Sequence, residues 1–328
     1  MQNIQLNYSQ GLFDIGNVDD LHGWDVQSEA MHTAQGIEIP NAYAITRNDN
    51  QAPIGIVGRQ YQLLSNEVFL SFIQDYCQVA GGQLETGGVL RNGSVVWGLV
   101  NNGESDIGNN DGISKYTIFK NAHDGSSPFY GGGTTIRPSC TNTLNAAFKE
   151  KAGGMYFKIP HTISIEDRVE QARKVMQEAE SHNITLIDTF RKMSQFKMSE
   201  RQMIDFLNDK LITPTKFVQE NTRGDLPRNP FGSYPIRLPA NPKREKMLAK
   251  QEEKREEKIE SIIGLTKEGL GAAEHGGNTA WALFNGISEW ADHHREIKPS
   301  ENRTAEEGRV ESVLWGRSAE IKSNAYNL

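Results

Sequence analysis

The dipeptide Asn92-Gly93, set between the strand-like arms GGQLETGGVL and SVVWGLV, does most to narrow the folds open to this chain. Both residues tolerate positive φ, so the pair is a strong short hairpin signal and commits its flanks to antiparallel pairing. The surrounding sequence agrees. AYAITRNDNQAPIGIVGRQYQLL reads as two extended segments around a turn at Asn48-Asp49-Asn50. SKYTIFKNAH alternates like a strand, and TTIRPSC reads as its partner. Between these, Ser65 is an N-cap for a helix over about 66–79, where Phe69, Phe72, Ile73 and Tyr76 repeat at i, i+3, i+4 and i+7 until Gly81-Gly82 stops it.

After Cys140 the pattern changes. Thr141 reads as an N-cap for a helix through TNTLNAAFKEK. Ser164 with Asp167, and Ser199 with Gln202, fit capping boxes, the first opening a long amphipathic segment to about residue 196. Six prolines between Pro214 and Pro242 indicate an irregular loop. KREKMLAKQEEKREEKIE (243–260) has 13 charged residues of 18 with mixed signs, which reads as a solvated helix. A last helical region follows Gly276-Gly277. Strands that precede helices, joined by short links, predict an α+β fold: an antiparallel sheet with a hairpin and packed helices in the first half, and a mostly helical second half. The expected organisation is a segment 1–40, an α+β core 41–162, a helical segment 163–213, a Pro-rich loop 214–242 and a C-terminal helical region 243–328.

No run approaches the ~20 apolar residues that span a bilayer, and MQNIQLNYSQ has no export-signal pattern. With only Cys77 and Cys140, and those in no metal-ligand spacing, a reducing cytoplasm is the expected setting, with no membrane partner. The net charge of −7 is uneven. Residues 1–112 carry 13 acidic groups against three Arg and no Lys, whereas residues 113–162 carry six basic groups against two acidic ones. That basic island contains the densest cluster of unusual residues, HDGSSPFYGGGTTIRPSCTNTLN (123–145).

Each part of the cluster has two readings. His123-Asp124 suggests acid–base chemistry, but adjacent strand residues face opposite ways, and Asp124-Gly125-Ser126 is a good turn in which the Asp caps its own backbone. Gly131-Gly132-Gly133 lacks the GK[ST] ending of a phosphate loop and reads as a hairpin tip. Phe129 and Tyr130 beside it are either rings held out for stacking or core. Asn142 and Asn145 share one face of the expected helix's first turn, where free N–H groups, Arg137, Lys149 and Lys151 would make a polyanion cradle; the alternative is plain capping. His293-His294 diverge by about 100° on a helix and have no second cluster to complete a metal shell. No residue set points to a cofactor, to NTP binding or to an enzyme.

Several ordered motifs carry a resemblance. IGIVGRQYQLLSNEVFLSFI, HDGSS, IRPSCTNTLNAAF, His161-Thr162, GGNTAWALFNGISEWADHHR and RVESVLWGRSAEIKSNAYNL together resemble domain of unknown function nine-three-two, a "phage/plasmid-like protein" family, over roughly residues 40–328. The stretch at about 221–260 departs from that pattern. In layout only, the chain also resembles the single-strand annealing recombinases (the Rad fifty-two, Redβ and RecT groups). That likeness implies an ATP-independent, non-enzymatic protein that forms rings or filaments, holds single-stranded DNA, and works beside a phage exonuclease or host single-strand-binding protein. On this expectation Lys115, Lys120, Arg137, Lys149, Lys151 and Lys158 contact phosphates. Asn142 and Asn145 position the backbone, and Tyr116, Phe129 and Tyr130 stack on bases. The competing expectation is an interaction protein that inhibits a host enzyme through its acidic N-terminal surface.

Overall fold

The computed structural model describes residues 17–108, 111–137, 142–144, 155–162, 165, 167–169, 172, 179–212, 242–269, 276–300 and 303–325. Three strands come first, β1 (Val26–His32), β2 (Glu38–Arg47) and β3 (Pro53–Gly58), in an antiparallel meander whose second turn is the expected Asn48–Asn50. β1 lies inside the stretch read as an N-terminal segment. Its VQSEAMH sequence is an exposed edge strand without the apolar alternation that would betray it.

Helix α1 (Asn66–Ala80) forms as its sequence dictates. The Ser65 hydroxyl accepts from the Val68 N–H, Gly81 closes the helix at φ 66°, and Phe69, Phe72, Ile73 and Tyr76 are buried. The main sheet follows: β4 (Gln83–Leu90), β5 (Val95–Asp106), β6 (Gly112–Ala122), β7 (Phe129–Arg137), β8 (Asn142–Leu144) and β9 (Met155–Ile159), every pair antiparallel. The β4–β5 turn is the Asn92-Gly93 hairpin, with Leu90 opposite Val95 and positive φ at Arg91, Asn92 and Gly93 (51°, 56° and 108°).

Two sequence expectations need correction. The triple glycine is no hairpin tip but the middle of β7; the turn is at residues 123–128, where Asp124 Oδ1 accepts from the Ser126 N–H at 2.9 Å. Gly131 lets an aromatic ring lie flush on the strand, since a Cβ there would sit 2.4 Å from a Phe157 ring carbon. Asn142–Leu144 is likewise not the start of a helix. It is a strand bonded to the end of β7, with Arg137 opposite Asn142 and Thr135 opposite Leu144, and that ladder overrides the local capping pattern. Asn145 and the rest of that expected helix lie outside the described residues, as do Ser164 and residues 213–241.

The helices after the sheet are α2 (Ala179–Gln195), α3 (Glu200–Phe206), α4 (Pro242–Glu268), α5 (Ala280–Glu289), α6 (Ala305–Leu314) and α7 (Arg317–Ala325). Capping boxes start α3 at Ser199/Gln202 and α6 at Thr304/Glu307. α4 carries the charged block, largely exposed where its side chains are described. Its close approach to α5 is set by Gly286, where a Cβ would meet Thr266 Oγ1 at 2.5 Å.

Three cores result. α1 covers one face of the main sheet, with Phe69, Phe72, Phe119, Phe129 and Phe157 packed edge to face. α6 covers the other face, Val310 and Leu314 meeting Trp97, Leu99, Ile118 and Tyr130. A helical core surrounds the fully buried α5. The Trp281 indole N–H donates to Asp111 Oδ2 at 2.9 Å and ties that core to the sheet. No helix among the described residues is long and apolar enough to cross a membrane. The fold is α+β with antiparallel sheets, strands mostly first and helices after.

Candidate functional site

The described lysines of the basic island do not share one surface. Lys115 and Lys120 are five residues apart on β6 and therefore project from opposite faces. Lys115 shares the α1 face with Phe119, whereas Lys120 sits opposite Trp97 and Tyr130 on the α6 face. Lys158 is exposed on β9, opposite Tyr130. Arg137 and Asn142 are placed by their backbones in the β7–β8 ladder, and Asn145, Lys149 and Lys151 lie outside the described residues.

The three candidate stacking rings are core, which corrects their assignment as free platforms. Phe129 is 0% and Tyr130 5% exposed. Tyr116 is buried and donates its hydroxyl to Glu85 Oε2 at 3.0 Å; burial first, then Glu85, pushes its phenol pKa up. Side chains that close the sheet's two cores are not available to bases. His123 is also structural. Its Nε2 lies 2.9 Å from Asn66 Oδ1, and burial, with His161 nearby, pulls its pKa down to about 3. Among the described residues no cluster of three or more His, Cys, Asp and Glu is arranged to hold a metal, the His293-His294 pair included.

What the fold assembles instead is a furrow along the α6 side of the sheet. It comprises two neighbouring pockets of about 1020 and 540 Å3 beside the sheet and a third of about 780 Å3 among α4, α7 and Trp290, each sharing lining residues with the next. The first two share Arg91 and Arg303, and the second and third share Arg295, Glu296 and Arg317. Eight Lys and Arg line it (Arg91, Lys120, Lys254, Lys258, Arg295, Lys298, Arg303 and Arg317) against five acidic groups. Trp315 and Trp290 supply ring surface, with Lys120 Nζ 4.6 Å above the Trp315 ring.

Its centre is a knot of charge at the β4–β5 hairpin. The left-handed backbone there turns the Arg91 N–H outward to Glu307 Oε1 at 2.7 Å. The Arg91 guanidinium pairs with Glu311 at 2.7 Å, and Arg303 reaches the same carboxylate at 3.0 Å. A main-chain N–H at a left-handed turn beside two guanidinium groups is an anion-binding arrangement. Here carboxylates from α6 fill it. Further along, Arg295 bonds Ser312 and Ser318, which fixes it against α6 and α7.

Of the expected DNA-contacting residues that are described, Lys120 lines this furrow, as do Asn92, Asp124, Ser126 and His294 among the other residues singled out in the sequence. The C-terminal cations were invisible to charge counting because they alternate with acids along the chain. The turns before α6 and before α7 sort them in space. No curated protein and no solved structure matches the chain. Residues 53–314, most of the chain and nearly all of the furrow, match the family described as Domain of unknown function (DUF932), and the chain belongs to that family.

Proposed function

We propose that this furrow binds single-stranded DNA and that the protein is an ATP-independent binding and annealing protein of phage-type recombination or replication, working as an oligomer. The observation that carries the reading is a set of three pockets that share cationic lining residues in a chain whose net charge is −7. Three pockets in series suit an extended polyanion better than a compact ligand, and cations interleaved with aromatic rings are how single strands are held without sequence preference. Backbone contacts of this kind leave base edges free to pair, which annealing requires.

The test is fluorescence anisotropy of a labelled single-stranded oligonucleotide. Binding is expected at low salt, weakening with a log–log slope of about −0.7 per phosphate contacted. A folded protein that does not bind at low salt would contradict the reading. Annealing is checked separately, by mixing complementary labelled strands with and without the protein.

Glu311 competes with phosphate for Arg91 and Arg303 in this account. Glu311→Gln is therefore expected to tighten oligonucleotide binding up to about tenfold, equivalent to ~1.4 kcal/mol, while lowering the melting temperature. Unchanged or weaker binding by a folded variant would show that the carboxylate is only structural.

A second reading has one observation behind it. The β1–β3 meander presents Ile37 and Ile56, each 66% exposed, beside Glu29 and Glu38, which fits a protein-docking surface such as one that inhibits a host enzyme. Such binding need not follow the steep salt dependence of a DNA complex.

A further inference from the structure

We propose that Lys120 is a nucleophilic amine that captures an aldehyde carried on a phosphorylated sugar, the open-chain abasic residue of single-stranded DNA being the form that the furrow would present. The DNA part rests on the function proposed above; the amine chemistry does not.

The placement of Lys120 is unusual for a lysine. It is mid-strand on β6, between Trp97 on β5 and Tyr130 on β7, so its stem is held in an aromatic row on a rigid sheet. Its amine reaches the second pocket and lies over Trp315. It forms no ion pair among the described residues, whereas Arg91 and Arg303 on the same wall both take Glu311. Beside it, the Trp97 indole N–H is buried with no acceptor among the described residues. The charged groups that bear on the amine are Arg91 from the hairpin, Glu311 from α6 and Asp124 from the β6–β7 turn. Burial first, with Arg91 in support and the two carboxylates opposing, pulls its pKa down to about 8. The usual solvated ammonium is thus brought within reach of the free-amine form a nucleophile needs.

The chemistry closes without any further reagent. The Nζ lone pair attacks the aldehyde carbon, a C–N bond forms, and the carbonyl π pair moves to oxygen, which is protonated. The carbinolamine then loses water to give a protonated imine. That product keeps the positive charge of the ammonium, so the Trp315 face that accepts one accepts the other. Arg295, Lys298 and Arg317 in the same pocket would hold the flanking phosphates.

The experiment uses the full chain with two probes, each followed by borohydride reduction and peptide mapping. One is a single-stranded oligonucleotide with one abasic residue, and the other is pyridoxal phosphate, a phosphorylated aldehyde that is not DNA. Anisotropy with the undamaged oligonucleotide runs in parallel. The expected result is an adduct on Lys120 with both probes, formed about tenfold or more faster than on the exposed lysines of α4 because more of the amine is unprotonated. Lys120→Arg should lose it while retaining its melting transition. Undamaged DNA that binds with no adduct on Lys120 overturns this proposal and leaves the binding function standing. Labelling of Lys120 by pyridoxal phosphate with no DNA binding sustains the nucleophile and removes the DNA reading. Label spread evenly over surface lysines overturns the nucleophile.

Discussion

Asp292→Ala is expected to lower the unfolding free energy by about 3–5 kcal/mol, the usual cost of leaving one charge of a buried pair alone. Lys322 on α7 is 0% and Asp292, just after α5, 2% exposed, and Lys322 Nζ donates to Asp292 Oδ1 at 2.6 Å and to the Val313 carbonyl at 3.3 Å. Burial pulls the Lys322 pKa down and Asp292 holds it up, so removing the carboxylate drives the amine to deprotonate or the helix to move. A double variant, Asp292→Ala with Lys322→Met, should regain much of the loss, because an apolar replacement of both partners leaves no buried charge. Urea unfolding of the three proteins checks this. A single variant within about 1 kcal/mol of the parent would mean that the pair is hydrated and weak. The pair also matters to the furrow, since α7 supplies Arg317 and also Ser318, whose hydroxyl donates to the Ala291 carbonyl and lies 3.0 Å from that of Ser312. The same variant should therefore weaken oligonucleotide binding.

Acid should destabilise the protein over a defined window. The Asn66 side-chain oxygen faces His123 Nε2, and the Asn121 amide nitrogen lies 3.5 Å from Nδ1, so the ring is satisfied as a neutral imidazole that donates from Nε2. A proton on Nδ1 would meet the donor end of Asn121. With a folded pKa of about 3 against 6.5 for the free side chain, the unfolded chain binds the proton first as pH falls. The contribution of His123 is therefore complete above about pH 6.5 and is lost progressively toward pH 3, at up to ~1.4 kcal/mol per pH unit. Burial lowers the pKa of His161 as well, and that loss has the same sign. His123→Gln should flatten the dependence of the urea midpoint on pH in this window. An unchanged slope would assign the acid sensitivity to other groups.

The elements that announced themselves did so through local chemistry. Ser65, Gly81, Asn92-Gly93 and Ser199 act within a few residues of themselves, and the helix ends and hairpin form where they stand. Asn142–Leu144 failed because a good cap sequence lost to strand pairing with the end of β7 just upstream. Gly131-Gly132-Gly133 failed because glycine marks either a turn or a close approach, and only the position of Phe157 distinguishes them. The site was harder. Its cations come from a hairpin, a mid-strand lysine and three C-terminal segments, with Glu296, Glu307 and Glu311 interspersed, so no sequence window is basic. The island at 113–162 gave a contiguous count that the alternation of β6 then divided between two faces.

The most direct measurement sets the furrow against that island in one oligonucleotide-binding assay. Lys298 and Arg317 are exposed at 79% and 62%, so Lys298→Glu with Arg317→Glu should leave the fold intact. That double variant is expected to lose at least about tenfold in affinity for a single strand at low salt, with a shallower salt slope. Lys115→Glu with Lys158→Glu should stay within about twofold of the parent, since neither lysine lines the furrow. The opposite ranking, or equal affinities for all three proteins, would contradict the furrow as the place where the strand is held.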